Sequence, residues 1–105
     1  MSSEALHVAR EKLSRRTLEM HYAVTSLMEE FEAADWYRQR ADDIEDAELK
    51  AIVLHNAREE LEHASMLLEW IRRHDAEFDA QAREYLFSEG SITGREKEAA
   101  PDHGL

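Results

Sequence analysis

The chain has 105 residues, enough for one small domain, and three glycines and one proline interrupt a sequence that is 43% hydrophobic and 35% charged. That composition favours helices, since sheets require more turn-forming and β-branched residues. The absence of cysteine excludes disulfides, iron-sulfur clusters and thiolate metal sites, and a formal net charge of -11 argues against nucleic acid as a partner.

The sequence also argues against a membrane partner. No apolar run is long enough to cross a bilayer, and the amino terminus lacks the basic and apolar segments of a secretory signal. We therefore predict a cytoplasmic protein whose acidic surface attracts cations.

The first predicted helix covers about residues 14–42. This stretch contains no Gly or Pro and repeats apolar residues at alternating steps of three and four. The members of the series are Met20, Ala23, Leu27, Ala34 and Tyr37. Glu30 stands where the series requires an apolar residue.

The second predicted helix covers about residues 46–73, with Asp46 as its N-cap. Its series contains Leu49, Val53, Asn56, Glu60, His63, Leu67 and Trp70. A carboxylate and an imidazole therefore interrupt the apolar stripe, as Glu30 does on the first helix.

A third helix is predicted over about 75–87, capped by Asp75. After Gly90 the pattern fades, which predicts a helical domain over 1–92 and a disordered tail over 93–105.

Two long helices joined by a short loop predict an antiparallel hairpin in an all-α fold. A lone hairpin cannot bury both of its apolar stripes. We therefore expect two copies to pair into a ferritin-like four-helix bundle, with a homodimer as the minimum unit.

The polar interruptions predict a metal site. Glu30, Glu60 and His63 fall on the same seam of the hairpin, and the helical step from Glu60 to His63 lets both reach one ion. Carboxylate-bridged di-metal sites in helical bundles require twice this set, which a two-fold dimer supplies. Buried carboxylates without a counter-ion would cost several kcal/mol each, so a bound cation is the expected compensation.

Three stretches carry a resemblance to a known family. "MEEFEAADWYRQR" (28–40), "HNAREELEHASMLLEWIRR" (55–73) and "YLFSEGSIT" (85–93) resemble the encapsulated ferritins, half-length members of the ferritin-like superfamily carried inside encapsulin shells. The resemblance implies a ferroxidase with a di-iron centre whose ligands are Glu30, Glu60 and His63, and a partner-chain tyrosine near the centre that corresponds to Tyr37. It also implies an annular decamer, localisation within an encapsulin nanocompartment, and iron supplied to a mineral that the shell stores.

The resemblance implies secondary metal sites as well. One, on an iron path into the centre, comprises Glu29, Glu32 and Trp36. The other, a cation-binding patch, comprises His55, Glu59 and Glu62. The residues by themselves favour a plain interpretation, in which the glutamates form a solvated charged face.

The sequence departs from the family pattern at two places. Leu61 stands where the family usually has a charged residue, at a position off the seam. The tail "REKEAAPDHGL" shows no clear version of the short peptide that targets cargo to an encapsulin shell.

Three functions are consistent with these residues. The leading one is ferroxidation. A second is a non-catalytic site in which Zn, Mn or Ca pins the oligomer together, since carboxylate and imidazole ligands select weakly among these ions. The third is a structural helical adaptor whose polar seam sets the pairing register.

Overall fold

The protein is all-helical, as predicted, in a computed structural model that describes residues 5–99, with side chains described through residue 96. A 3-10 turn at Arg10–Lys12 precedes four α-helices. Their bounds are Arg15–Asp43 (α1), Ala47–His74 (α2), Ala76–Tyr85 (α3) and Ile92–Ala99 (α4). None of the described helices has the length and apolar character required to cross a bilayer.

The starts of α1 and α2 are fixed by capping side chains. Ser14 Oγ accepts a hydrogen bond from the Thr17 N–H at 3.1 Å, and Asp46 Oδ2 accepts one from the Leu49 N–H at 2.8 Å. Each cap satisfies a backbone donor that the first turn of a helix leaves without a partner. Between the helices the chain turns at Ile44, which is extended and bonds back to the end of α1.

The chain divides into two compact units, one ending at Ile71 and one beginning at Arg72. In the first unit α1 and α2 form the predicted antiparallel hairpin. The middle of α1 meets the middle of α2, where Glu30 contacts His63. The early part of α1 lies beside the late part of α2, where Ala23 and Trp70 line one groove.

Small residues dominate the interior of this hairpin. The buried residues of the first unit are Leu18, Ala23, Ala34, Ala41, Ala57, Ala64 and Ile71. Alanines allow two helices to approach closely, because the spacing between packed helices depends on the side chains at the contact. The larger apolar side chains consequently stay accessible, and Phe31 and Ile52 are 51% and 53% exposed.

These accessible side chains lie on two opposite faces of the hairpin. At about 100° per residue, Tyr22, Ser26, Leu67 and Trp70 share one side, which we term the groove face. The same rotation places another set on the opposite side, which we term the rear face. The rear-face residues are Val24, Leu27, Phe31, Leu54, Leu61 and Leu68. A single chain leaves both apolar faces open to water.

The second unit is organised by local caps and ion pairs. Asp75 Oδ1 accepts a hydrogen bond from the Phe78 N–H at 2.9 Å and starts α3 as predicted. The helix ends at Tyr85 rather than at residue 87, and Phe87 adopts a positive φ of 61°. A positive φ is rare for a bulky residue, so the backbone turn at Phe87 is strained.

The predicted disordered tail is wrong for residues 93–99, which belong to α4. Ser91 Oγ accepts a hydrogen bond from the Gly94 N–H at 2.9 Å and caps this helix. Arg95 Nε donates to the Glu84 carbonyl oxygen at 2.7 Å, in the last turn of α3 where carbonyls lack helical partners. These contacts stabilise a segment whose sequence shows no apolar periodicity. The remainder of the predicted tail, 100–105, lies outside the described residues.

Asp79 links two arginines of the second unit through its carboxylate. We expect Asp79→Asn to destabilise the protein at neutral pH. Its carboxylate accepts hydrogen bonds from Arg83 at 3.0 Å and from Arg72. These hydrogen bonds hold the pKa of Asp79 below its ordinary value, and the bond from Arg83 has the larger effect. A lowered folded-state pKa stabilises the fold above the unfolded pKa, and that stabilisation is lost as pH falls through the folded value.

The contribution of the Asp79 carboxylate can be measured by urea titration of the parent and of Asp79→Asn. Each protein is titrated at neutral pH and again in acid, below the lowered pKa of Asp79. The difference in the free energy of unfolding should be present at neutral pH and disappear in acid. Glu77→Gln, an exposed position on the same helix, is the matched control. A difference of equal size under both conditions would contradict an electrostatic role for Asp79.

Candidate metal centre

The structure brings the three predicted ligands together. Glu30 comes from α1, and Glu60 and His63 come from one face of α2. One ligand atom of each side chain lies within 4.8 Å of the other two. This is the single group of three or more potential metal ligands among residues 5–96. The arrangement follows from two local facts, the three-residue helical step and the antiparallel pairing of the hairpin.

One oxygen of this group lacks a hydrogen-bond partner. Glu30 Oε2 is buried and accepts no hydrogen bond within the described part of the chain. His63 Nδ1 lies 3.4 Å from this oxygen, without hydrogen-bond geometry. An unsatisfied buried acceptor costs about 1–3 kcal/mol. A cation bound between Glu30 and His63 would supply the missing partner.

Glu30 affects the ionisation of Glu60. The pKa of Glu60 is raised, chiefly because protonated Glu60 can hydrogen-bond Glu30, and further because of desolvation and repulsion from the Glu30 charge. His63 opposes the effect by favouring the charged form of Glu60. A divalent cation that binds both carboxylates competes with protonation of Glu60, so metal affinity should fall as the pH is lowered.

The donor set fits hard or borderline divalent ions. Two carboxylates and one imidazole suit Fe(II), Mn(II) and Zn(II), and no thiolate is present to favour softer ions. A side-chain exposure of 44% at His63 and 23% at Glu30 leaves the group open on the groove face. The ligand set can therefore be reached by an ion from solution or by side chains of another chain.

Replacing Glu30 with Gln should raise the stability of the metal-free protein and weaken its binding of metal. Removal of one like charge is expected to return the pKa of Glu60 toward its ordinary value and to stabilise the metal-free protein by about 1 kcal/mol. The same change should weaken Zn²⁺ binding by about tenfold or more, because one ligand is lost. Thermal unfolding in chelator and titration calorimetry with Zn²⁺ measure the two effects. Glu48→Gln, an exposed position on α2, should change both little, whereas tighter Zn²⁺ binding by Glu30→Gln would contradict the assignment.

The remaining predicted site residues do not join this cluster in a single chain. Tyr37 lies two helical turns after Glu30, half-buried, and its ring centroid is 5.5 Å from the Arg40 guanidinium carbon. The residues of the two predicted secondary sites are all exposed: Glu29, Glu32, Trp36, His55, Glu59 and Glu62. Their roles as ligands stay predictions.

A groove lies beside the cluster, and the sequence pattern did not indicate it. It has a volume of about 490 Å³ and is lined by Glu19, Tyr22, Ala23, Ser26, Leu67 and Trp70. Tyr22 is held at its edge, where its hydroxyl accepts a hydrogen bond from Arg10 Nη2 at 2.6 Å. The apolar series contained Ala23, Leu67 and Trp70, but Tyr22 and Ser26 lie off that series and gave no signal.

Comparison with known proteins agrees with the fold and with the resemblance. The EncFtn-like family model matches residues 5–89. The encapsulated ferritin-like protein of Rhodospirillum rubrum is 52% identical over 95 residues, which cover 90% of this chain and 68% of that protein. The ferritin-like protein of Thermotoga maritima is 39% identical over 98 residues, which cover 93% of this chain and 86% of that protein.

A solved structure shows the same fold. The crystal structure of protein ne0167 from Nitrosomonas europaea superposes with a TM-score of 0.81 and 50% sequence identity, and covers 84% of this chain and 97% of that chain. The predicted resemblance to the encapsulated ferritins is thereby confirmed. With its all-helical fold, its carboxylate and imidazole cluster and these matches, the chain belongs to the EncFtn-like family.

Proposed function

We propose that the protein is a ferroxidase that oxidises Fe(II) to Fe(III) at a centre formed between two copies of the chain. The observation that carries the proposal is the convergence of Glu30, Glu60 and His63 around a buried carboxylate oxygen without a hydrogen-bond partner. Iron is the substrate here, held transiently by the ligands of both copies.

The composition of the cluster supports the pairing of two copies. One chain offers two carboxylates and one imidazole, which is half of the set found at di-iron sites in helical bundles. A two-fold axis near the cluster would double the set to four carboxylates and two imidazoles. The same pairing would cover the groove face, whose aromatic and aliphatic side chains are open in a single chain.

The doubled site accounts for the reaction. Two Fe(II) ions held side by side can each give one electron, so that one molecule of dioxygen and two protons become hydrogen peroxide. Carboxylates favour the ferric product, because hard anionic oxygens stabilise the higher charge. Because the pKa of Glu60 is raised, iron binding would compete with protonation of that carboxylate. We also propose Tyr37 of the partner copy as a residue at the edge of this centre.

The second apolar face supports a larger assembly. The rear face, which includes Val24, Phe31 and Leu61, lies opposite the groove face. A chain with two self-complementary faces joins two neighbours, and such contacts close into a ring or continue as a fibre. We propose that these contacts close into the annular decamer. The name of the Rhodospirillum rubrum relative supports a place inside an encapsulin shell, where the ferric product would be stored.

The exposed acidic residues would guide iron toward the centre. Glu29, Glu32 and Trp36 on α1, and His55, Glu59 and Glu62 on α2, are open to solvent and could take Fe(II) or Ca(II) weakly. On a chain of formal charge -11, such residues raise the local cation concentration.

Anomalous scattering tests the proposal. A crystal grown with Fe(II) should show two peaks at the iron absorption edge, each close to Glu30, Glu60 and His63 and placed between two chains. Oxygen consumption on addition of Fe(II) should accompany them. Iron peaks elsewhere, with none at the cluster, would refute the proposed centre.

A second candidate function is a structural metal site. The same donor set accepts Zn(II), Mn(II) or Ca(II), and a redox-inactive ion there would pin the oligomer without catalysis. The two functions differ in one measurement. A ferroxidase consumes oxygen when Fe(II) is added, whereas a structural site changes only the mass of the assembly.

A further inference from the structure

We propose that the groove on the groove face is a socket for the carboxyl-terminal part of α1 from a second copy, in which Arg40 of that copy pairs with Glu19. The inference rests on the two-fold pairing proposed above and adds its register. It specifies which residues of the two copies meet on either side of the metal centre.

The groove is built to receive a side chain. Tyr22 and Trp70 flank a floor formed by Ala23, whose small side chain leaves the space of about 490 Å³. Tyr22 is 42% exposed although it is aromatic. Glu19 contributes the one charged side chain among the residues that line this groove. The expected occupant is therefore aromatic and carries a positive charge.

Two kinds of two-fold axis could pair the chains through the metal cluster. An axis parallel to the helices leaves the height of each residue along the helices unchanged. The groove would then face the groove of the second copy. That arrangement joins two concave surfaces and opposes Glu19 to its own copy, which costs both packing and electrostatic free energy. An axis perpendicular to the helices avoids both costs.

With the perpendicular axis, α1 runs antiparallel to α1 of the second copy. Residues before Glu30 then lie opposite residues after Glu30 in the second copy. Ala23 is as far before Glu30 as Tyr37 is after it. The floor of the groove consequently meets the turn of α1 that carries Tyr37.

That turn has the required chemistry. The Arg40 guanidinium lies over the Tyr37 ring at 5.5 Å, so the two side chains present one aromatic and cationic surface. At about 100° per residue, Arg40 falls on the same side of α1 as Tyr22. Glu19 and Arg40 are each about 15 Å from Glu30 along the helix, on opposite sides of it. The pairing therefore joins opposite charges at both ends of the interface.

Charge exchange tests the register. Glu19→Arg and Arg40→Glu should each raise the dimer dissociation constant about tenfold or more, because each places like charges at both contacts. The double variant should return the constant to within about threefold of the parent, since opposite charges are restored. Analytical ultracentrifugation of the full chain with Zn²⁺ gives the constants without iron oxidation. Glu48→Arg, at an exposed position in the first turn of α2, is the matched control.

Cysteine cross-linking gives an independent readout, since the chain contains no cysteine. Ser26 and Ala33 lie on the groove face at nearly equal distances before and after Glu30. They are too far apart on one helix to form a disulfide within a chain. The Ser26→Cys/Ala33→Cys double variant should form disulfide-linked dimers on mild oxidation, and neither single variant should.

The outcomes separate this inference from the proposed function. Cross-linking by either single variant, or a charge exchange that fails to restore pairing while the parent pairs and oxidises iron, overturns the register and leaves the ferroxidase intact. Failure of the parent to pair with Zn²⁺ or Fe(II) overturns both.

Discussion

Replacement of Glu60 by Ala is expected to slow Fe(II) oxidation by about a hundredfold or more. Loss of an outer-shell partner of a metal ligand alone costs 10- to 100-fold, and this variant would remove a direct ligand twice from each proposed two-copy centre. His63→Ala should have an effect of the same order, because it removes the nitrogen donor of the cluster. Oxygen uptake and the absorbance of the ferric product, followed after mixing Fe(II) with the protein, measure the rate.

The control for this experiment is Glu48→Gln, which removes a charge from α2 at an exposed position away from the cluster. Its oxidation rate should equal that of the parent. Helical content measured by circular dichroism should be the same in all of these proteins, since Glu60 and His63 are both partly exposed. A Glu60→Ala protein that oxidised Fe(II) as fast as the parent would remove the basis of the ferroxidase assignment.

Assembly of the protein is expected to depend on metal. Two carboxylates from each copy would repel across the interface, and a bound divalent ion removes this repulsion. At a free ion concentration about 100 times its dissociation constant, binding favours the competent state by about 2.7 kcal/mol, which is roughly a hundredfold. Size-exclusion chromatography should therefore show a smaller species in chelator and a larger one with Fe(II) or Zn²⁺.

A charge-neutral variant provides the matched comparison. Glu30→Gln/Glu60→Gln lacks the repulsion and should assemble to a similar degree with and without metal, while oxidising iron poorly. An elution profile of the parent that does not respond to metal would contradict metal-linked assembly. Comparison of this variant with the parent separates the electrostatic role of the carboxylates from their role as ligands.

The features that could be predicted from the sequence depend on local signals. Asp46 and Asp75 cap their helices as predicted, because an N-cap acts within a few residues of chain. The convergence of Glu30 with Glu60 and His63 followed from two interrupted apolar series and a short loop. Local periodicity therefore specified the hairpin and the ligand group together.

The features that could not be predicted depend on tertiary contacts. The α4 helix relies on the contact of Arg95 with the Glu84 carbonyl, a partner eleven residues earlier in the sequence, and α4 itself shows no apolar periodicity. The end of α3 depends on the turn at Phe87, a residue type that sequence rules do not associate with a positive φ. The groove arises from Ala23 and Trp70 on different helices, so neither series revealed it alone.

The alanines between α1 and α2 bear on which ions the proposed metal centre would accept. Ala34 follows Glu30 by one helical turn, and Ala64 adjoins His63, and both are 2% exposed. Their small volume sets the distance between the two helix axes. That distance in turn sets how far the Glu30 carboxylate lies from the ligand atoms on α2. If the cluster binds an ion as proposed, discrimination among ions of different radius would depend partly on alanine methyl groups that never touch the ion.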